Sequence, residues 1–219
     1  MSSPSPGFPR YIAIEGPIGV GKTSLTHLMA KRVHARTVLE EFDNNPFLRE
    51  FYRDPKRVAF QTQIYFLLAR YKQQEALRQQ DLFARGVVSD YLFAKDRIFA
   101  YLNLQEAELQ LYERIYDLLR THLVTPDLVI YLQARPEVLM KRLRNRGRDY
   151  EGGIELQYLE DLMRSYNKFF FHYNESPLLV VETSEIDFVH NANDFEDLLS
   201  AVRDTRHGTQ HYVPRSAAG

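Results

Sequence analysis

Short apolar runs alternate with longer amphipathic stretches along the chain, and this pattern predicts strands that take turns with helices. The apolar runs have the length of strands and lie at residues 11–15, 36–40, 86–90, 127–132 and 178–182. Between them, apolar positions recur at helical spacing over 22–34, 56–80, 92–102, 105–122, 135–146, 154–173 and 194–203. Asn193 is the predicted N-cap of the last helix. The alternation favours an α/β fold with a five-stranded parallel sheet flanked by helices.

A glycine-rich motif joins the first predicted strand to the first predicted helix. It follows the pattern G-x-x-x-x-G-K-[ST] and consists of Gly16, Pro17, Ile18, Gly19, Val20, Gly21, Lys22 and Thr23, with Ser24 next in the helix. In this context the pattern predicts a phosphate loop, because backbone N–H groups and the helix N-terminus attract phosphate oxygens. Lys22 is expected to reach the β- and γ-phosphates, and the Thr23 hydroxyl group to ligate Mg²⁺. A glycine-rich turn without a ligand is the alternative.

Composition limits the kinds of metal site, partner and cellular location that the chain can be expected to have. The chain has 219 residues, a net charge of −1 and no cysteine, which excludes disulfides and thiolate metal sites. The charge gives no indication of a nucleic-acid partner or a membrane surface. The first residues lack the features of a signal peptide, so a cytoplasmic protein is expected. We predict a disordered segment over 1–9, one domain over 10–204 and a flexible tail over 205–219.

Acidic residues lie where two predicted strands end, which is the edge where ligands bind in parallel sheets. A carboxylate at Glu40 or Glu41, beside a phosphoryl donor, can take the proton of an attacking hydroxyl group. A solvated acidic pair is the other interpretation. Asp90 ends a buried strand, where an acid often holds Mg²⁺ in phosphate-loop enzymes. Asp90 could equally be a helix N-cap, and the two roles are compatible.

Two polar side chains share one face of an otherwise apolar and aromatic helix. Gln63 and Arg70 are seven residues apart and therefore lie two turns apart on the same face. An amide and a guanidinium group together suit the polar edge of a nucleobase. The alternative is that both side chains point into water.

Three arginines cluster near the end of the helix predicted over 135–146. Arg142 and Arg146 are four residues apart, and Arg148 lies just beyond the helix. Three converging guanidinium groups would repel each other unless they met negative charge, which a transferring phosphoryl group supplies. A solvated basic helix end is the alternative, since cations there complement the helix dipole.

Taken together, these residues resemble the deoxynucleoside kinase family, and in particular its bacterial deoxyguanosine and deoxyadenosine kinase branch. The resemblance covers nearly all of residues 10–203. It rests on the phosphate loop, the segment EEFDNNPFL at 40–48, the helix with Gln63 and Arg70, and the sequence Arg146-Gly147-Arg148. It implies a P-loop NTPase fold of the nucleoside and nucleotide kinase type, closed by an arginine-rich lid.

The resemblance also implies a role for each matched residue. In the family the catalytic Glu stands five residues before the position that matches Asn45, which selects Glu40. A Tyr that contacts the sugar 3′-hydroxyl group precedes the base-reading Gln by eleven residues, as Tyr52 precedes Gln63. The lid pattern R-x-x-x-R-G-R matches Arg142, Arg146 and Arg148, which would surround the phosphoryl group. Glu151 matches a lid Glu that also holds the 3′-hydroxyl group. Asp187 and Phe188 match the segment near the adenine of ATP.

One segment departs from the family pattern. Many members end the third strand with an acid, then Arg, then Ser, whereas this chain has Ser89-Asp90-Tyr91. Lys95 and Arg97, in the next predicted helix, are the candidates for the missing charge. The departure resembles the deoxyguanosine kinase branch. Gln63 resembles the deoxyadenosine kinase branch instead, because the former tends to have Glu at that position.

The resemblance implies transfer of the ATP γ-phosphoryl group, with Mg²⁺, to the 5′-hydroxyl group of a deoxyribonucleoside. Purine substrates, dG or dA, are expected, with dC as a further substrate. A homodimer is implied, with the helices over 92–122 and 154–173 as candidate interfaces. One alternative is a nucleoside monophosphate kinase of the thymidylate kinase type. Another is a regulatory ATP-binding module, although a GTPase is disfavoured because Asn167-Lys168 lacks the Asp of N-K-x-D.

Overall fold

Six parallel strands form one sheet in the structure, a computed structural model that describes residues 7–79, 86–121, 123–148, 151–189 and 191–213. Their order across the sheet is β2-β3-β1-β4-β5-β6. In chain order the strands are β1 (Tyr11–Glu15), β2 (Arg36–Val38), β3 (Val87–Ser89), β4 (Leu128–Gln133), β5 (Leu178–Glu182) and β6 (Thr209–Tyr212). The prediction of a parallel α/β sheet is therefore confirmed.

Helices connect successive strands, and capping features mark three of their ends. In chain order they are α1 (Lys22–Val33), α2 (Leu48–Arg53), α3 (Pro55–Gln79), α4 (Lys95–Asn103), α5 (Glu106–Arg120), α6 (Pro136–Arg146), α7 (Leu156–Phe171) and α8 (Ala192–Asp204). A capping box between Gln105 and Glu108 begins α5, and Pro136 occupies the first turn of α6. Gly147, with φ of 68°, ends α6 in the left-handed conformation.

The core lies on both faces of the sheet. Apolar side chains of α1, α6 and α8 pack on one face of β1, β4 and β5. Those of α4 and α7, together with Leu77 of α3, pack on the other face. Because β1 and β4 are buried on both sides, they are apolar throughout except at their carboxyl ends. The polar positions of these two strands, Glu15 and Gln133, therefore lie at the carboxyl end of the sheet.

Two sequence predictions need correction. The sheet has a sixth strand, β6, in the segment predicted as a tail, so the count of five strands was wrong. Its sequence has no apolar run, and three of its four residues are exposed. The strand is therefore held in the sheet by its hydrogen bonds to β5. The cap of α8 is Asn191 and not Asn193, because the Asn191 side chain accepts from the backbone N–H of Asn193 at 3.0 Å.

The chain ends fall partly outside the described ranges. Residues 1–6 of the segment predicted as disordered, and 214–219 of the predicted tail, lie there. Among the helices that the structure describes, none combines the length and apolar character needed to cross a bilayer.

Candidate active site

A cavity of about 380 Å³ opens at the carboxyl ends of the strands. It brings together the phosphate loop and the residues that the sequence predicted for the acceptor. Its walls include these predicted site residues: Ile18, Gly19, Gly21, Lys22, Thr23, Ser24, Glu40, Tyr52, Gln63, Arg70, Asp90, Arg142, Arg146, Arg148 and Glu151. Gly16, Pro17 and Val20 belong to the same loop but are not part of the lining.

The phosphate loop has the backbone that its glycines permit. Gly21 has φ of 104°, a left-handed conformation that side chains other than hydrogen disfavour. A Cβ atom on Gly16 would lie 2.5 Å from the carbonyl oxygen of Leu132 on β4, so the loop could not pack there with a larger residue. The Lys22 ammonium group donates to the carbonyl oxygens of Gly16 at 2.7 Å and Pro17 at 3.2 Å. The lysine is therefore folded over the loop, within reach of a bound phosphate.

Asp90 links the donor side of the cavity to the acceptor side. The Thr23 hydroxyl group donates to Asp90 Oδ2 at 2.7 Å, and the Glu40 backbone N–H donates to Asp90 Oδ1 at 2.6 Å. Asp90 is not a helix cap, since α4 has Ala94 at its N-cap position. A hydroxyl group beside one carboxylate fits Mg²⁺, which takes few protein ligands and completes its shell with phosphate oxygens and water. In the described ranges, no cluster of three or more His, Asp or Glu side chains forms a closed metal cage.

Glu40 lies in the cavity between two cations. Arg70 donates to its Oε1, and the Lys95 ammonium group lies 2.5 Å from its Oε2. Burial opposes the ionisation of Glu40, but Arg70, Lys95 and Lys22 outweigh it and lower the pKa of Glu40 from 4.5 to about 2. Glu41, in contrast, is exposed and accepts a hydrogen bond from Asn44 at 3.0 Å. Of the two adjacent acids, Glu40 is thus the one inside the site.

Arg70 also pairs with Asp96, which the sequence analysis missed. The second Nη of Arg70 donates to Asp96 Oδ1, and both side chains are at least 95% buried. Burial raises the pKa of Asp96 from 3.8 to about 6, although Arg70 and Lys95 act in the opposite direction. The alternative in which Gln63 and Arg70 point into water is excluded, since their residues are 2% and 4% exposed.

We expect Glu40 and Asp96 to titrate far apart, near pH 2 and pH 6. Ionised Glu40 stabilises the fold above about pH 4.5, and this stabilisation is lost as the pH falls toward 2. The contribution of Asp96 to stability has the opposite pH dependence. Because its pKa is raised, the fold becomes less stable as the pH rises from about 4 to about 6. Carboxyl ¹³C chemical shifts measure both, with Glu40→Gln and Asp96→Asn as assignment controls. A Glu40 signal that titrates above pH 4 would contradict this prediction.

The acceptor half of the cavity is aromatic, with one amide in its wall. Phe66, Phe99 and Tyr158 line it, and Tyr52 packs edge-on against Phe51 with ring centroids 5.7 Å apart. The Gln63 side chain makes no hydrogen bond to any part of the protein that the structure describes, and its residue is 2% exposed. A buried amide facing a cavity suits a ligand with a polar edge between apolar faces.

Each of the three lid arginines contacts a neighbouring part of the protein. Arg146 donates to both carboxylate oxygens of Glu151, at 3.2 and 2.5 Å, and Arg148 Nη1 lies 3.6 Å from Glu151 Oε1. Arg142 donates to the carbonyl oxygens of Val20 at 3.3 Å and Thr183 at 2.8 Å. The three arginines line the cavity, although the Arg146 side chain is 37% exposed, so their role around the phosphoryl group stays a prediction. Tyr150, between Arg148 and Glu151, lies outside the described residues.

The structure places the predicted adenine contacts behind the phosphate loop. Phe188 is 5% exposed, and its ring would lie 3.3 Å from a Cβ atom on Gly21. Asp187 accepts from the backbone N–H of Val189 at 3.1 Å. Neither residue lines the cavity, so their contact with ATP stays a prediction.

Lys95 and Arg97, the candidates for the charge missing after Asp90, point in different directions. Lys95 is buried in the cavity wall beside Glu40. Arg97 instead lies 3.0 Å from Glu113 of α5 and stacks near Tyr116. Tyr91, at the family's Arg position, is fully buried in the core. The sequence analysis also missed Glu15, which lies beneath the loop. Its signal in the sequence was that an acid ends a buried strand directly before the first glycine.

Comparison with known proteins shows which family the chain resembles. A model of the family described as "Deoxynucleoside kinase" matches residues 12–206. The deoxyguanosine kinase of Bacillus subtilis (strain 168) is 36% identical over 199 residues, which span 89% of this chain and 96% of that protein. The deoxyadenosine/deoxycytidine kinase of the same organism is 30% identical over 207 residues, 91% of this chain and 94% of that protein.

Solved structures show the same similarity. The deoxyadenosine kinase from M. mycoides with bound dATP matches with a TM-score of 0.76 and 25% sequence identity, covering 89% of this chain and all of that one (100%). The same enzyme with dCMP and a flexible dCDP bound matches with a TM-score of 0.75 and 26% identity, covering 88% and 98% of the two chains. Since the family match spans most of the chain and a relative is 36% identical over nearly its whole length, the chain belongs to the deoxynucleoside kinase family.

Proposed function

We propose that this deoxynucleoside kinase transfers the γ-phosphoryl group of ATP to the 5′-hydroxyl group of a purine deoxyribonucleoside, dG or dA, with dC as a further substrate. The observation that carries the proposal is the position of Glu40, at the junction of the phosphate loop and the aromatic half of the cavity. A carboxylate at that junction can accept the proton of the attacking hydroxyl group. The product would be a deoxynucleoside monophosphate for nucleotide salvage.

On the donor side, Lys22 and the loop N–H groups bind the β- and γ-phosphates. Lys22 exchanges its hydrogen bonds to Gly16 and Pro17 for phosphate oxygens, which carry more negative charge than a carbonyl group. Thr23 and Asp90 would hold Mg²⁺, whose charge neutralises the phosphate oxygens as the phosphoryl group transfers. Asp90 also holds the Glu40 backbone, so donor and base keep a fixed separation.

On the acceptor side, Tyr52 and Glu151 bind the sugar and Gln63 and Arg70 bind the base. Arg146 and Glu151 pair with each other in the structure. We propose that Arg142, Arg146 and Arg148 close over the phosphoryl group, which releases Glu151 for the 3′-hydroxyl group. A charge exchange of this kind costs little, since each ion leaves one partner for another.

The preference for purines has three supports. The Gln63 amide offers a donor and an acceptor together, which matches the edge of adenine or guanine. The relatives named above are a deoxyguanosine kinase and a deoxyadenosine/deoxycytidine kinase. A purine also fills more of a cavity of about 380 Å³ than a pyrimidine does.

We propose that the protein is a homodimer in the cytoplasm, with no nucleic-acid or membrane partner. Large apolar side chains are exposed on α4 and α5, where Tyr101 is 57% and Leu118 is 74% exposed, and on α7, where Phe171 is 84% exposed. Helices that leave such side chains in water are candidates for a subunit interface. The net charge of −1 gives nucleic acid no electrostatic attraction. The single domain over 10–204 stays a prediction.

A panel of acceptors with labelled ATP tests the proposed function. We expect phosphorylation of dG and dA with kcat/KM about tenfold or more above that of dC, because a smaller base leaves part of the pocket unfilled and a missing group in a pocket has roughly that effect. Deoxynucleoside monophosphates, including dTMP, should not be phosphorylated. Labelled products separated by thin-layer chromatography measure each rate.

The variant Lys22→Met is the control, since loss of the phosphate-binding lysine should abolish transfer to every acceptor and reveal any contaminating kinase. Phosphorylation of dTMP in preference to nucleosides would instead support a monophosphate kinase. ATP binding without transfer to any acceptor would support the regulatory module.

A further inference from the structure

Five buried side chains of alternating charge run from the phosphate loop to the base-binding half of the cavity. In order they are Glu15, Lys95, Glu40, Arg70 and Asp96. Each cation lies between two anions, and every member is at least 89% buried at its side chain. Arg70 and Glu40 already have proposed roles. Lys95 is so far only a candidate for the charge missing after Asp90, with no stated part in the reaction, and its side chain lines the cavity directly beside Glu40.

Glu15 fixes Lys95 relative to the phosphate loop. Glu15 Oε1 accepts from the Gly16 backbone N–H at 2.8 Å and from the Tyr166 hydroxyl group at 3.0 Å. Its Oε2 accepts from the Leu92 N–H at 2.8 Å and lies 3.9 Å from Lys95 Nζ. The first residue of the loop and the ammonium group thus both contact one fully buried carboxyl group that three hydrogen bonds hold in place.

Lys95 is also close to where the reaction would occur. Its Nζ lies 2.5 Å from Glu40 Oε2. A substrate hydroxyl group that donates to Glu40 approaches to about 2.7 Å, and two partners of one carboxylate lie within a few ångströms of each other. The ammonium group has three donors and needs no backbone movement to reach that oxygen.

The charge balance changes during transfer in a way that Lys95 can use. When Glu40 takes the hydroxyl proton, it becomes neutral and no longer compensates Lys95. The Glu15 side chain lies behind the ammonium group, and the transferring phosphoryl group brings new negative charge in front of it. A cation that is buried and pre-positioned there interacts more strongly with the transition state than with the resting site.

We propose that Lys95 is a further catalytic residue, whose ammonium group binds the 5′-oxygen of the nucleoside as that oxygen bonds to the γ-phosphorus, and that Glu15 is its positioning residue. This inference rests on the proposed function. The bond from the 5′-oxygen to the γ-phosphorus forms, and the bond from that phosphorus to the β,γ-bridging oxygen breaks, leaving ADP. The hydroxyl proton goes to Glu40, and Lys95 keeps its own proton throughout.

The test separates chemistry from binding in variants of Lys95. We expect Lys95→Gln to lower the single-turnover rate of phosphoryl transfer by about 10²-fold, as for the loss of one pre-positioned donor. Dissociation constants for the nucleoside and for ATP, measured separately by calorimetry, should change less than about fivefold. Lys72→Gln, which removes an exposed lysine on α3, is the control and should transfer at the wild-type rate.

A second variant covers the case in which Lys95→Gln does not fold. The chain has no cysteine, so Lys95→Cys provides a single thiol, which 2-bromoethylamine converts in denaturant into a lysine analogue before refolding. The alkylated protein should transfer within about tenfold of the wild type, and the untreated protein should resemble Lys95→Gln.

Two results would overturn the role of Lys95 but leave the proposed function intact. The first is a transfer rate of Lys95→Gln, or of untreated Lys95→Cys, within threefold of an active wild type. The second is a parallel loss of rate, affinity and melting temperature in these variants. A wild-type protein that phosphorylates no deoxyribonucleoside would overturn the proposed function, and the role of Lys95 with it.

Discussion

Replacing Glu40 with glutamine is expected to lower turnover by about 10³-fold while nucleoside binding persists. The amide has nearly the shape of the carboxylate, so it still fills the space between Arg70 and Lys95. It cannot take up the hydroxyl proton, however, and the attack on the phosphorus then lacks its base. Steady-state kcat with dG and ATP measures the loss, and calorimetry without ATP measures the nucleoside affinity.

Glu41→Gln is the matched control, because the same chemical change is made one residue further along, at an exposed side chain that contacts Asn44. Its kcat should stay within twofold of the wild type. Near-normal turnover in Glu40→Gln would remove Glu40 as the base. If nucleoside affinity fell as far as kcat/KM at unchanged kcat, Glu40 would be a binding residue instead.

The sequence predicted the parts of the site that depend on local pattern. The phosphate loop follows from glycines, a lysine and a threonine within eight positions between a strand and a helix, so no long-range information is needed. The other residues were placed by spacing along one element, as for Gln63 and Arg70, or by resemblance. Since carboxyl ends of parallel strands share one edge, Glu40 and Asp90 had to meet the loop there, and they do.

The buried charges could not be predicted, because their partners are distant in the sequence. Glu15, Glu40, Arg70 and Lys95 come from four different elements or loops, and a charged residue in an apolar stretch does not show which opposite charge compensates it. Asp96 lies in the first turn of α4, where acids are common because they complement the helix dipole, so nothing local marks it as the partner of Arg70. The sixth strand was missed for a related reason, since its exposed side chains carry no hydrophobic signal.

Replacing Arg70 with methionine is expected to lower the free energy of unfolding by about 3–5 kcal/mol, the usual effect of breaking a buried ion pair by removing one partner. Asp96 is 1% exposed, and Arg70 is its hydrogen-bonding cation, so the variant leaves a carboxylate with little compensation. Glu40 keeps Lys95 and is affected less. Urea denaturation followed by circular dichroism measures the change.

The size of that loss depends on the charge left behind and not on the guanidinium group as such. Removing both partners, with Arg70→Met and Asp96→Asn together, should therefore recover at least about 2 kcal/mol relative to Arg70→Met alone. Arg57→Met is the control on the same helix, because its pair with Glu50 is exposed, and it should cost less than about 0.5 kcal/mol. If Arg70→Met were as stable as the control, or if the double variant recovered nothing, the buried charges would not be coupled through Arg70. The cavity would then hold Glu40 through Lys95 alone, and Arg70 would be free to serve the base without a structural role.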